Sequence, residues 1–279
     1  MHSDAVIWRY MDVAKYIALL SRGLFFSQPS QLGDPWEGCW SVGDVMQFRD
    51  AHWGKDVQAG SAKWRRRFQA KQESLDDFGI SCWHRSETES AALWAIYMPR
   101  SLGIAIQCTV NGVLASLAPA RREIRCLDVE YVDYKEPLGD DPLILLSRKR
   151  LEFLHEKEVR FAVALRQDEQ DAISDWRLIL QDRSKRHLTL SPVGSGLVRT
   201  DVVPPRLVTD PTLIRRATPA GVYLQTDNKL LIQKVHLAPR ASWALRHAII
   251  SATEAFGLDR LVVGESNADL VPPDVLDFD

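Results

Sequence analysis

HEKEVRF, residues 155–161, is the stretch on which the reading of the fold turns. As a strand it sends Glu156, Glu158 and Arg160 to one face and Lys157, Val159 and Phe161 to the other. Two carboxylates about 7 Å apart on one pleat, followed by a guanidinium, need a reason. Either they form a surface ion-pair ladder, worth about 0–1 kcal/mol, or they point into a cavity where positive charge is held.

Working outward, DPLILLSRKRLEFLH (141–155) predicts a helix that runs into this strand, and EIRCLDVEYV (123–132) alternates like a further strand. Upstream, AVIWRY (5–10), DVAKYIALLSRG (12–23) and LFFSQ (24–28) read as strand, helix stopped by Gly23, and strand. The turn formers of QPSQLGDPWEG (28–38) predict an ordered loop, restricted by Pro29 and Pro35. Helices are expected around 42–53 and 61–76, then a strand FGISCW (78–83). Ser86 with Glu89 has capping-box spacing ahead of SAALWAIYM, and GIAIQCTV (103–110) reads as a buried strand.

After FAVAL (161–165) the chain turns polar, and SPVGSG and VVPPRL add breakers, so 167–215 is expected to be a loop-rich region or insertion. GVYLQ (221–225) and LLIQKVHLAP (230–239) read as a hairpin-like pair, SWALRHAIISATEAFG (242–257) as a helix capped by Ser242, and LDRLVVGES as a closing strand. With no repeat or clean linker, residues 1–279 are expected to form one α+β domain, its central sheet mostly antiparallel or split and flanked by helices.

Composition limits the partners. The 279 residues are 46% hydrophobic and 26% charged, enough for a substantial core. With 35 basic against 37 acidic residues, a globally electrostatic nucleic-acid binder is disfavoured. A local contact through Arg65, Arg66, Arg67 and Lys71 in KWRRRFQAKQ competes with a simpler reading, in which Trp64 and Phe68 face the core and the charges stay solvated. Cys39, Cys82, Cys108 and Cys126 have neither zinc nor disulfide spacing, and no metal motif appears. Lacking a leader pattern or a long apolar run, the chain is expected to be soluble and cytoplasmic.

The weaker motifs exclude themselves. Ser266 in VVGESNAD lacks the second glycine of a nucleophile elbow and a helix start behind it, so it reads as a strand-end turn residue. GSG at 194–196 lacks the lysine of a phosphate loop. His84, where a strand gives way to a helix, either bonds a polar ligand or caps the turn. Asp34 and Glu37 in GDPWEG either bond loop amides or hold a ligand.

LFFSQPSQLGDPWEG, then ISCWHRSETESAALWAIYMPRSLGIAIQC, then HEKEVRF resemble, in order and spacing, a large bacterial family catalogued as a domain of unknown function. That family's pattern reads F-S-x-P-x-x-[FL]-N-D-P-[FW]-E, C-F-S, M-W-x-x-Y, G-[IV]-x-I and E-x-E-x-R. It falls here on Tyr10, Ser27, Pro29, Asp34, Pro35, Glu37, Cys82, Trp94, Tyr97, Gly103, Glu156, Glu158 and Arg160. LLIQKVHLAPRASW and GES resemble the family's ending, while Gly33 replaces its asparagine and His84 its serine.

The order of an Arg/Tyr strand, a strand ending in Ser or His, and an E-x-E strand is similar to that of ADP-ribosyltransferases. The resemblance implies an enzyme acting on NAD as substrate, transferase or glycohydrolase, in a bacterial toxin or defence setting, with no metal. It implies that Glu158 stabilises the ribosyl cation and Glu156 serves an acceptor macromolecule of unknown kind. Arg9 or Tyr10 would contact phosphates or adenine, His84 would replace the ribose-binding serine, and Trp94 or Tyr97 would wall the nicotinamide pocket. Arg160 would keep the carboxylates ionised. A noncatalytic nucleotide-binding module and a nucleic-acid-binding effector are the other two functional classes.

Overall fold

The computed structural model describes residues 4–34, 36–52, 57–98, 102–139, 141–186 and 216–267. The chain opens with β1 (Val6–Asp12), α1 (Val13–Arg22) and β2 (Leu24–Ser27). Asp12 ends the strand and caps the helix, its carboxylate accepting from the Lys15 amide at 2.8 Å. Gly23 ends the helix at φ 100, and its amide donates to Leu19 O at 2.9 Å. Tyr16, Leu19 and Leu20 make the buried stripe of α1, which turns the chain back so that β2 joins the same sheet.

That sheet runs β12-β11-β4-β1-β3-β2-β10-β9, with β8 and β5 branching from β3. Its remaining members are β3 (Phe78–Arg85), β4 (Gly103–Thr109), β5 (Arg125–Asp128), β8 (Glu158–Ala164), β9 (Ala217–Thr218), β10 (Gly221–Leu224), β11 (Lys234–Leu237) and β12 (Val263–Gly264). Among the described residues, β11 and β12 are its one parallel pair. Helices cover both faces: α1, α5 (Val110–Ser116), α7 (Gln167–Arg186) and α9 (Trp243–Ala255) on the larger core, with α3 (Val57–Asp76), α4 (Ala91–Tyr97) and α6 (Pro142–Leu146) on the other. The architecture is α+β in one body, as expected.

The branch at β3 positions the site. Along one edge β3 pairs with β8 over its whole length, from Phe78↔Ala164 to His84↔Glu158. Along the other edge β1 pairs only at Ile7↔Arg85 and Trp8↔His84, and β2 only at Ser27↔Ile80. Between those contacts β1 and β2 splay apart and leave a fork in the sheet. Arg9 reaches across it, donating to Ser81 Oγ and to Phe25 O at 3.5 Å.

Several local expectations are corrected. α4 is capped by Ser90, whose hydroxyl accepts from the Leu93 amide at 3.3 Å, and not by a Ser86–Glu89 box. Glu89 instead accepts from Trp94 Nε1 and Ser266 Oγ. The helix expected over 141–155 is three elements: α6, β7 (Arg148–Arg150) and a 3-10 turn over Leu151–Glu156. Ser147 ends α6 by turning its hydroxyl onto Ile144 O, and the basic run that follows pairs with β6 (Glu130–Val132), placing Arg148 opposite Glu130. The stretch 123–132 accordingly divides between β5 and β6, in different sheets.

The polar stretch from 167 to 186 is α7, which buries Ala172 and Ile173; the rest of the expected insertion, 187–215, lies outside the described residues. β10 and β11 are not a pair: β10 joins β2 and β9, whereas β11 joins β4 and β12 with α8 (Asn228–Leu231) between. The helix capped by Ser242 is α9, and the closing strand shrinks to Val263–Gly264 behind a 3-10 turn.

A Cβ on Gly23 would come within 2.0 Å of Leu224 O, at a positive φ that alanine adopts at a cost. Gly23→Ala should lower the unfolding free energy by about 1–3 kcal/mol in denaturant titration. An unchanged midpoint would contradict the α1–β2 turn described above.

Candidate functional site

Glu158 opens β8, and Arg160 lies two residues on, on the same pleat. Arg160 Nε donates to Glu158 Oε1 at 3.0 Å, and Nη2 donates to Glu158 Oε2 at 3.0 Å and to Glu37 Oε2 at 2.9 Å. Its Nη1 donates to Leu146 O at 2.9 Å, at the end of α6. Lys149, the middle residue of β7, donates to Glu37 Oε1 at 2.9 Å, Glu156 Oε2 at 2.5 Å and Glu158 Oε2 at 3.2 Å. Three carboxylates thus meet two cations, a formal excess of one negative charge.

This is no surface ladder, because Arg160 is 1% exposed, Glu158 7% and Lys149 6%. Burial alone would raise the Glu158 carboxyl, but Arg160 and then Lys149 overcome it and hold it down at about 2. Burial would likewise strip Lys149 of its proton, and the surrounding glutamates raise it instead, so it remains an ammonium. Cys82, opposite Arg160 on β3, is pushed well above the ordinary thiol range by burial and by Glu158, which keeps it protonated.

The expectation that both glutamates share a pleat is corrected. The strand begins at Glu158, while Glu156 ends the 3-10 turn and Lys157 between them is left-handed at φ 41. Glu156 joins the cluster through Lys149, not through strand alternation. Its carbonyl accepts from His84 Nδ1 at 2.6 Å, which makes Nδ1 the protonated ring nitrogen and leaves Nε2 the acceptor. Burial lowers the His84 pKa, so the neutral ring prevails at neutral pH.

Glu37, Cys82, His84, Lys149, Glu156 and Glu158 line a cavity of about 600 Å3 together with Arg9, Tyr10, Asp34 and Tyr97. Arg9 and Trp83 belong to one face of the sheet and Tyr10, Cys82 and His84 to the other, so the cavity runs through the fork. Arg9 packs its guanidinium 5.8 Å from the Trp83 ring centroid, and among the described residues its partners are all neutral. Burial lowers its pKa from the ordinary arginine value. Tyr97 is pushed up to about 12, by burial first and by Glu156 next.

The remaining sequence candidates have other places. Asp34 accepts both Arg150 Nε and Nη2, at 3.1 and 2.9 Å, which ties its loop to β7 at the cavity rim. Ser27 lies outside the lining and donates to backbone carbonyls of Gln28 and Ala220. Trp94 is 3% exposed and backs Tyr10 edge-on at 4.9 Å rather than walling the cavity. Tyr10 itself accepts the Ser90 amide at 2.7 Å. Arg160 lies beneath the lining.

Arg65 and Arg66 are exposed on α3 and outside the cavity, whereas Arg67 stacks over Trp40 and Phe48; the side chains of Phe68 and Lys71, and Pro35 as a whole, lie outside the described residues. Among the described residues no His, Cys, Asp and Glu group could hold a metal ion, and the point where Glu37, Glu156 and Glu158 converge is taken by Lys149 Nζ. No helix among them is long and apolar enough to cross a membrane.

Lys149, Arg150 and Tyr131, whose hydroxyl accepts the Glu158 amide at 2.7 Å, were absent from the sequence reading. Arg148, Lys149 and Arg150 fall inside the stretch that reads as a helix, where three basic side chains would stay solvated, so no local signal marks them as part of the site.

Glu158 has a folded pKa of about 2 against an ordinary 4.5, so its stabilising contribution is complete above about 4.5 and is lost as pH falls toward 2. Glu158→Gln should cost about 3 kcal/mol at neutral pH, and the gap from wild type should close across that window in equilibrium unfolding. A gap constant from pH 7 to pH 2 would refute the pairing. Comparison with family models, with curated proteins and with solved structures finds no match to this chain.

Proposed function

We propose that the cavity binds NAD and breaks its nicotinamide glycosidic bond, by transfer or by hydrolysis, in the manner of ADP-ribosyltransferases. The observation that carries this reading is the polarity of one cavity: a cation that has no carboxylate partner among the described residues at the fork, and an acidic cluster with one excess negative charge at β8. Arg9 suits a diphosphate, since a guanidinium with only neutral partners gains a charge-assisted contact. The acidic cluster suits the ribosyl carbon, which becomes positive as the bond breaks, and preorganised charge in a shielded site is the strongest general means of stabilising it.

The cavity volume of about 600 Å3 lies within the range of small-molecule sites, and Tyr97 offers an aromatic wall beside Glu156. We also propose, on the ordered motifs quoted above, that the chain belongs to the bacterial domain family it resembles. The cysteines are free, which fits action in a reducing cytoplasm. A noncatalytic nucleotide sensor is the second reading, favoured by the saturation of Glu158 by Arg160 and Lys149.

Incubation with NAD should release nicotinamide, followed by chromatography. Binding without any release would favour the sensor. Arg9→Gln should weaken ADP-ribose binding by about tenfold or more in calorimetry, the loss expected for one hydrogen bond to a charged group. It should leave the thermal midpoint within a few degrees, because no ion pair is broken. Unchanged affinity would remove Arg9 from the site.

A further inference from the structure

The acidic cluster contains six carboxylate oxygens, and ion pairs account for all but one. Glu37 gives Oε1 to Lys149 and Oε2 to Arg160. Glu158 gives Oε1 to Arg160 Nε, and Oε2 to both Arg160 Nη2 and Lys149. Glu156 gives only Oε2, to Lys149. Its Oε1 has no partner among the described residues. Its side chain is also the most open of the three, at 15% exposed against 6% for Glu158 and 4% for Glu37.

We propose that Glu156, through Oε1, is the carboxylate that meets the ligand, and that Glu158 is a positioning residue acting through Arg160 and Lys149. This reverses the roles that motif order implies. The chemistry assigned to Glu156 rests on the NAD reading above, whereas its access to ligand does not. Lys149 is the second positioning residue. An ammonium has three protons, and here each has a carboxylate, so Lys149 acts neither as nucleophile nor as base. It fixes a glutamate that the backbone leaves outside the strand, and the bond of His84 to the Glu156 carbonyl fixes the same residue from the other side.

In the reaction the C–N glycosidic bond breaks with its electron pair going to the pyridinium nitrogen, and nicotinamide leaves neutral. Glu156 Oε1 faces the positive ribosyl carbon. The oxygen of a water acceptor forms the new bond to that carbon, and its proton passes to Oε1 and then to solvent, leaving ADP-ribose. A carboxylate doing this needs an oxygen free of ionic partners, and among the described residues Glu158 has none whereas Glu156 has Oε1.

The test begins with access. A water-soluble carbodiimide with glycine ethyl ester, read by peptide mass spectrometry, should amidate Glu156 at least tenfold faster than Glu158 or Glu37 in the folded protein. Saturating ADP-ribose should suppress that labelling. Equal or faster labelling of Glu158 would overturn the proposal, as would Glu156 labelling indifferent to ADP-ribose. Glu156→Gln should lower the rate constant of nicotinamide release about a hundredfold or more with KM changed little. Retained release in that variant would also overturn it.

The charge-balanced pair Lys149→Met with Glu37→Gln separates positioning from folding. Its kcat should fall with KM kept, and Lys149→Arg should recover part of the loss; full activity in the double variant would reduce Lys149 to a counter-ion and overturn its assignment. Selective, ADP-ribose-sensitive labelling of Glu156 without nicotinamide release in wild type would support Glu156 as the ligand-facing residue and defeat the NAD-cleavage reading alone.

Discussion

Arg160 has almost no contact with water, and a guanidinium so placed is tolerable only while acceptors take its protons. Glu158, Glu37 and the Leu146 carbonyl do so, and they come from β8, from the loop after β2 and from the end of α6. Removing any one leaves a buried charge short of a partner, a loss of about 3–5 kcal/mol in comparable cases. The same charges that position the segment around β6, α6 and β7 against the main sheet therefore build the acidic end of the cavity. Lys149 extends the network by one more segment, and only through it does Glu156 belong to the cluster.

The two ends of the cavity differ in kind. The acidic end is crowded and rigid, each charge fixed by at least one opposite charge. At the other end Arg9 bridges a fork between strands, and among the described residues a hydroxyl and a carbonyl accept its hydrogen bonds. A half-buried cation held by dipoles alone carries a desolvation cost, and an anionic ligand would relieve it. The fork joins the two ends, since it opens the sheet between faces that strand alternation would otherwise keep apart.

Legibility followed the range of the forces involved. Gly23 after α1 and Ser242 before α9 could be read correctly because capping is a matter of a few consecutive residues. The basic run at 148–150 misled for the complementary reason. Next to an apolar stretch it continues a helical pattern, and nothing within the window says that Arg148 pairs with Glu130, Arg150 with Asp34 and Lys149 with Glu37 as well as with the nearer Glu156 and Glu158. α7 was missed because its apolar stripe is narrow and its remaining surface polar.

The sequence by itself determined the α+β class, the early strand-helix-strand unit and the proximity of Glu158 to Arg160, since residues two apart on a strand share a face whatever else the chain does. Tertiary structure alone decided that this pair is buried, that Glu156 leaves the strand at a left-handed Lys157, and that Lys149 brings it back. The reason is that burial and charge pairing depend on which distant segments are packed together, and that information is carried by no local pattern of residues.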